Sequence, residues 1–519
     1  MRDICAAAQV TRNGAWWRYV EKVKGRYDFT DIEKWVASVN RTTGSGCAAG
    51  AGSMGMNFVL NGGNHLYGGL DSTSPTTPEQ VQGYTNFVVA VITQYAGRGI
   101  VWELYNEPDL SVREMTAAQY AKLVISVGKA VRADPITASE TLMGPSISTI
   151  SCDYMQSMKQ LGVLQYVDAV SVHAYVSGAP EQTHWQFAAI KNIIGRDTAL
   201  VSGEWGWATC TSPSGAPANC VGGTMPDVVS EADQAMYLAR QWLGDAAGRI
   251  PMSIYYEWMN DDTDQSQCES NWGLRLANNG APKPAYHAAV AVQNLVGRRA
   301  FVSQLEGRGD PAMEYILAFG PNGDGPPPVT AAGLEAGDAE VFAVWTLSTV
   351  GGASRQTGSQ NGAYCGGNAL WTGMAIDCKA KCTSTAGCRG FVAYDAGSVH
   401  PNSNCQLTGS RCTIPRPVSG CGINIWHQQC PGGPGVGAAA NQTHGQRVGD
   451  PACDSAKAFT LLQSPTPPPV VFANPAGARF SCYSVVGVSG ASAGPDLCAQ
   501  RGTLTVRATE VPIYLVGKS

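Results

Sequence analysis

The chain has 519 residues, 44% hydrophobic and only 14% charged, with a formal net charge of −5. That length allows two or three domains. The charge balance excludes a polybasic nucleic-acid or membrane-surface binder. No uncharged apolar run of about 18 residues occurs, so no membrane span is expected. The 61 glycines and 30 prolines imply long loops.

Of the 17 cysteines, 11 lie between Cys365 and Cys498. No CxxC pair with zinc spacing occurs, so disulfides in an oxidising compartment are expected rather than a metal. Asn40-Arg-Thr and Asn441-Gln-Thr are glycosylation acceptors by pattern. The chain begins MRDICAAAQV, with no apolar leader. The expectation is a secreted or lumenal protein whose amino terminus lies upstream of this sequence.

In chain order, MRDICAAAQV reads as a helix and GAWWRYVE (14–21) as a strand entering a loop. A helix follows, with Asp31 as its N-cap. MNFVLNGGN (56–64) is an apolar strand broken at Gly62-Gly63, and 77–96 has helical period with Thr77 capping before Pro78. IVWELYNEPDL (100–110) is a buried strand ending in Asn106, Glu107 and Pro108. Helices at 116–133, 152–161 and 182–194 alternate with strands at 141–148, 167–175 and 198–207. SEADQAMYLARQWLGDA (230–246) is a helix, MSIYYEWMND (252–261) a strand and KPAYHAAVAVQNLV (283–296) a helix. This alternation predicts an α/β fold, a (β/α)8 barrel over residues 1–296 with its first strand not found. After that the pattern changes to alternating strands. A small β-sandwich-like domain is expected from 297–350 and 455–519, with a cysteine-rich insert and linker at 351–454. Eight cysteines from Cys365 to Cys430 allow 105 pairings, and none is assigned.

Glu107 and Glu204 each close an apolar strand, counted as fourth and seventh in a full barrel. Barrel enzymes place their chemistry at such ends. Two carboxylates facing one another are what glycosidic cleavage requires, one to protonate the leaving oxygen and one on the other face of the sugar. Asn106 can hydrogen-bond a sugar hydroxyl. His173 and Tyr175, two apart on one strand, both face the axis, and a Tyr hydroxyl donating to Glu204 favours its charged form. Trp258 ends the last strand and is placed to stack on a sugar. Trp205, His65 and Asn64 are weaker substrate-binding candidates, as are Trp207 and Trp17. Glu103 points inward but lower, and reads as structural; Glu257 should face away from Trp258. Cys210 and Cys220 flank a Gly/Pro-rich loop, where they are either a disulfide holding a cleft wall or two unrelated thiols. GAGSMG (50–55) matches a dinucleotide pattern but precedes a strand, so it is set aside, and no cofactor is expected.

WELYNEP resembles the acid/base motif of clan A glycoside hydrolases, and SGEWGW their nucleophile strand. GAWWRYVEKVKGRYDFTDIEKWV, NFVLNGGNHLYGG and GLRLANNGAPKPAYHA are similar to units of families 39 and 5. The resemblance implies a retaining β-glycosidase with Glu107 as acid/base, Glu204 as nucleophile and a carbohydrate substrate. CKAKC, CRGFVAYD and NCQL in the insert resemble a PAN/apple module, which implies a protein or glycan ligand. The alternative is a non-catalytic carbohydrate-binding or adhesive extracellular protein on a degenerate barrel.

Overall fold

The computed structural model describes residues 2–45, 54–110, 115–176, 179–195, 197–210, 228–297, 299–305, 314–321, 339–346, 371–373, 390–394, 405–408, 423–426, 470–475, 478–500, 502–506 and 511–518.

The chain enters with α1 (Arg2–Ala7), β1 (Val10–Trp16) and the short α2 (Trp17–Val20). The expected strand at 14–21 therefore starts earlier and stops at Trp16. Its end is set by Trp17, which turns outward and packs its buried indole on Tyr67, Tyr84 and Phe87. Then come α3 (Thr30–Ser45), β2 (Gly55–Asn61), α4 (Pro78–Tyr95), β3 (Ile100–Leu104) and α5 (Ala117–Ala133). Next are β4 (Thr141–Ile147), α6 (Cys152–Gln160), β5 (Ala169–His173) and α7 (Gln182–Ile194). β6 (Ala199–Trp205), α8 (Glu231–Ala247), β7 (Ser253–Tyr255) and α9 (Pro284–Leu295) complete this part.

Local chemistry explains several boundaries. Thr77 and Thr116 form reciprocal capping boxes with Gln80 and Gln119 at the starts of α4 and α5, each satisfying two orphan amide groups. Asp31 lies inside the first turn of α3, and it is Asp28 that accepts the Thr30 amide.

β1 to β7 form one parallel sheet in sequential order. Their outward residues, such as Phe58, Leu60, Trp102, Leu104 and Val170, are buried under the helices in one continuous core. Inward-facing residues are unusually polar and include Asn57, Glu103 and His173, all fully buried. β7 and β1 share no ladder among the described residues, yet come within 8 Å of one another. α1 packs on α9 across that seam, and Gln9 bonds Gln293 at 2.9 Å. The result is a (β/α)8-type barrel with seven described strands, as expected.

Beyond it lie β8 (Ala300–Gln304), β9 (Glu314–Gly320) and β10 (Val341–Thr346). The insert contributes β11 (Trp371–Gly373), β12 (Gly390–Tyr394), β13 (Cys405–Thr408) and β14 (Ile423–Trp426), paired antiparallel in the order β11-β13-β12-β14. Its cysteine pairing, on which the PAN-like reading turns, lies outside the described residues, as does Cys220. The chain ends with β15 (Val470–Ala473), β16 (Cys482–Gly487), β17 (Leu497–Cys498), β18 (Thr503–Val506) and β19 (Ile513–Gly517). β17-β16-β19-β10-β9-β8 make a six-stranded sheet in which β19, after the insert, pairs with β10, before it. One face packs on α8 and α9; the other covers the β15/β18 ribbon. At the junction Arg240 on α8 makes a buried two-point bond to Glu181, and Trp345 on β10 donates to the same carboxylate at 2.9 Å.

Asp245, buried on α8, accepts from Gln241 at 2.8 Å and Ser253 at 2.5 Å. Burial pushes its carboxyl up to about 7, against an ordinary value of 3.8. Between those values the native state holds a proton that the unfolded chain has released, so stability falls as pH rises through this window and is fully present only below it. Asp245→Asn should remove that slope, on the order of 2–4 kcal/mol across the window. Melting curves of both proteins between pH 4 and pH 8 check this; parallel curves refute it.

Candidate active site

The barrel's polar interior converges on one cation. Arg12, on β1, donates through Nε and one terminal nitrogen to both oxygens of Glu103, each at 2.8 Å. That second nitrogen also reaches Asn106 Oδ1, and the other reaches Glu204 Oε2, each at 2.6 Å. Asn57 completes the Glu103 carboxylate at 2.8 Å. Burial works against both charges here, but the Arg12–Glu103 attraction outweighs it. Glu103 is held below its ordinary value, and Arg12 is held far above its own.

Glu204 is brought inward by an irregularity. Val172 on β5 pairs with Ser202 and His173 with Glu204, so the register slips by one residue at Gly203. Such a bulge re-aims the next side chain. A Cβ at Gly203 would lie 1.9 Å from Ser171 Oγ, so any other residue here would have to displace that hydroxyl. Glu204 Oε1 then accepts from the Tyr175 hydroxyl at 2.7 Å while Oε2 takes Arg12. Tyr175 is backed edge-on by Trp272.

Glu107 lies three residues beyond β3, which ends at Leu104 rather than at the Asn-Glu-Pro triplet. Tyr105 (φ 68°) and Glu107 (φ 50°) both occupy the left-handed region, a costly backbone for non-glycine residues and one found at functional sites. The Glu107 amide is pinned to the Ser146 carbonyl on β4 at 2.8 Å. His173 is fully buried; its Nδ1 lies 2.8 Å from Glu107 Oε1 and 3.9 Å from Glu204 Oε1. Burial would lower this imidazole, but the Glu204 charge and the Glu107 hydrogen bond raise it above its ordinary value of 6.5. One donor atom from each of Glu107, His173 and Glu204 lies within 4.8 Å of the others. Such a trio can also ligate a metal, but both Glu204 oxygens are already claimed by Arg12 and Tyr175.

Of the residues expected here, Asn106, Glu107, His173, Tyr175 and Glu204 are brought together. Trp205 is not: its indole is fully buried between β6 and α8, donating to Ser253 Oγ at 2.9 Å and packed on Trp242. Its parity on the strand is opposite to that of Glu204, so it must face outward. Trp207 and Trp17 are likewise core. Asn64 is buried and caps the turn His65–Tyr67, and its Nδ2 binds the Glu21 carbonyl at 2.7 Å. His65 is exposed and bonds Asp71 at 2.8 Å. Trp258 lies three residues past β7, half-buried against Tyr286 and Arg275. Glu257 is pushed up to about 8, by burial first and then by the charges of Asp261, Glu204 and Glu269. Glu269 is raised by burial and by Glu204 and Glu107. Cys210 pairs with Cys268, joining the loop after β6 to that after β7.

Sequence reasoning missed Arg12, Glu269 and Trp272. Arg12 sits in an uninformative stretch, VTRNGAW, and only its period-two placement under Trp16 could have marked it.

The fold is a (β/α)8-type barrel that gathers two carboxylates, a histidine and an arginine at one end of its strands. No protein-family profile and no curated protein sequence matches the chain. Among solved structures, it superposes on a family 39 glycoside hydrolase from the gut symbiont Bacteroides cellulosilyticus WH2 with a TM-score of 0.58 at 17% identity, over 100% of this chain and 77% of that one. A GH39 β-xylosidase from Caulobacter crescentus matches at TM-score 0.43 and 16% identity, over 67% of this chain and 73% of the other. The likeness is one of fold.

Removing Arg12 leaves Glu103 buried and unpaired. Arg12→Met should cost about 3–5 kcal/mol, and adding Glu103→Leu should recover part of it. Urea unfolding of the two variants tests this; a single variant as stable as the parent would contradict the role given to Arg12.

Proposed function

We propose that the protein is a retaining glycoside hydrolase cleaving β-glycosidic bonds of a polysaccharide or oligosaccharide by double displacement. The observation that carries this is the Glu107–His173–Glu204 grouping, with carboxylate oxygens within 4.8 Å. Retaining enzymes hold their carboxyl groups about 5–5.5 Å apart and inverting ones about 6.5–9.5 Å. Nearest oxygens this close favour direct attack over a water held beneath the sugar.

In this reading Glu204 is the nucleophile. Tyr175 and Arg12 fix its rotamer and balance its charge, so a developing bond to the anomeric carbon costs little reorganisation. Glu107 protonates the leaving oxygen, and then, as a carboxylate, takes a proton from the water that hydrolyses the glycosyl-enzyme. Asn106, oriented by Arg12, faces a sugar hydroxyl. His173 and Glu107 share a proton that the pair keeps above the ordinary imidazole range. The two described disulfides, Cys210–Cys268 and Cys482–Cys498, support an extracellular or lumenal setting. The insert, whose sheet shares no strand with the others among the described residues, is read as an appendage for a protein or glycan ligand.

Glu204→Ala and Glu107→Gln should each lower turnover of aryl β-glycosides by at least about a thousandfold, and a fluorinated mechanism-based sugar should label Glu204. Full turnover in both variants sinks the reading and leaves a carbohydrate-binding protein.

The shared proton predicts a pH effect. kcat/KM should decline on the alkaline side above pH 6.5, as the pair loses its last proton. His173→Gln should move that limb to lower pH by about one unit or more. An unmoved limb would show that His173 takes no part.

A further inference from the structure

The barrel mouth beside β1 carries a second grouping that the acid pair does not use. Arg12, Gly14 and Trp16 occupy alternate positions on β1, so they share its inner face. Arg12 reaches Glu204 from that face, and Trp16 therefore stands above it at the rim. Trp16 pairs with Asn61 on β2. Asn61 Oδ1 accepts the Asn106 amide at 3.3 Å, next to Glu107. Two strand spacings, about 10 Å, thus separate Trp16 from the acid loop. The indole is held from the other side by Gly62, where a Cβ would lie 2.5 Å from the ring.

Arg18 lies between two rings. Its guanidinium is 4.7 Å from the Trp16 ring centroid and 4.6 Å from that of Tyr19, and it donates to the Tyr19 hydroxyl at 3.0 Å. Among the described residues it bonds no carboxylate. Asp71, which feels its charge, is instead bonded by the His65 amide and ring, each at 2.8 Å. The cation is therefore pre-oriented with donors to spare, beside a Tyr19 that is 57% exposed. The rim after β7 has the opposite sign, with Asp261 and Glu269 both acting on the raised carboxyl of Glu257, and Asp261 on Glu269. An anionic substituent is repelled there and attracted at β1.

We propose that Trp16, Arg18 and Tyr19 form a subsite, one or two sugar units from the cleaved bond, for a sugar bearing an anionic substituent. This rests on the glycosidase reading and extends it: the indole borders the sugar ring and Arg18 takes the carboxylate or sulfate through paired N–H donors.

The test uses the full chain carrying Glu204→Ala, titrated calorimetrically with three β-linked oligosaccharides: one bearing a glucuronate, one a sulfate ester, and their neutral counterpart. At least one anionic oligosaccharide should bind roughly ten- to hundredfold tighter than the neutral one, and the two arms tell which anion is recognised. Added salt should erode that preference without any change to the rim. Adding Arg18→Ala should abolish the preference, and Arg18→Lys should keep part of it. Equal affinity for all three, or a preference that survives both salt and Arg18→Ala, overturns the proposal. The glycosidase reading stands or falls separately, on wild-type turnover of aryl β-glycosides.

Discussion

One buried guanidinium organises the barrel interior. Arg12 is the only partner that touches Glu103, Asn106 and Glu204 together among the described residues. Two carboxylates could not share so small a space without it, because Coulomb repulsion grows as the local dielectric falls. The ion-pair cluster also explains why seven strands hold a polar centre. Each inward charge has a partner, so desolvation is met by charge-assisted hydrogen bonds rather than left uncompensated.

The two acids are delivered by different devices. Glu204 rides on a regular strand that a bulge at Gly203 rotates by one position. Glu107 hangs on a loop in left-handed backbone between Tyr105 and Pro108, its own amide held by the Ser146 carbonyl on β4 and the preceding Asn106 amide by Asn61 on β2. One acid is thus set by sheet register and the other by loop conformation. His173, on the strand beside Glu204, ties the two together. A strained backbone at this point persists because hydrogen bonds on both sides over-determine it.

Much of the barrel was legible from the sequence because strand and helix periods alternate strongly between Met56 and Leu295. The carboxylate pair was legible because each acid closes an apolar run. What escaped reading is instructive. Trp205, Trp207 and Trp17 look like sugar platforms in a string of letters, but parity and the core's need for large side chains turn them outward. Arg12 escaped because its partners are 91 and 192 residues away, a separation that local pattern cannot bridge. The partner of Cys210 was likewise hidden: Cys220 is nearer along the chain, but Cys268 meets it in space, on the loop that the neighbouring strand delivers. The raised carboxyl of Glu257 depends on burial first and then on three other acids that no one-dimensional reading could assemble.

That same crosslink closes a ring of chain 58 residues around, containing all of α8 and β7. Tethering so long a stretch removes about 4 kcal/mol of freedom from the unfolded chain. The ring closes at the wall that carries Glu269 and Trp272, beside Tyr175 and Glu204. The wall therefore depends on redox conditions: in a thiol-rich compartment the ring opens, the tether is lost, and this side of the cleft must hold its shape by packing alone.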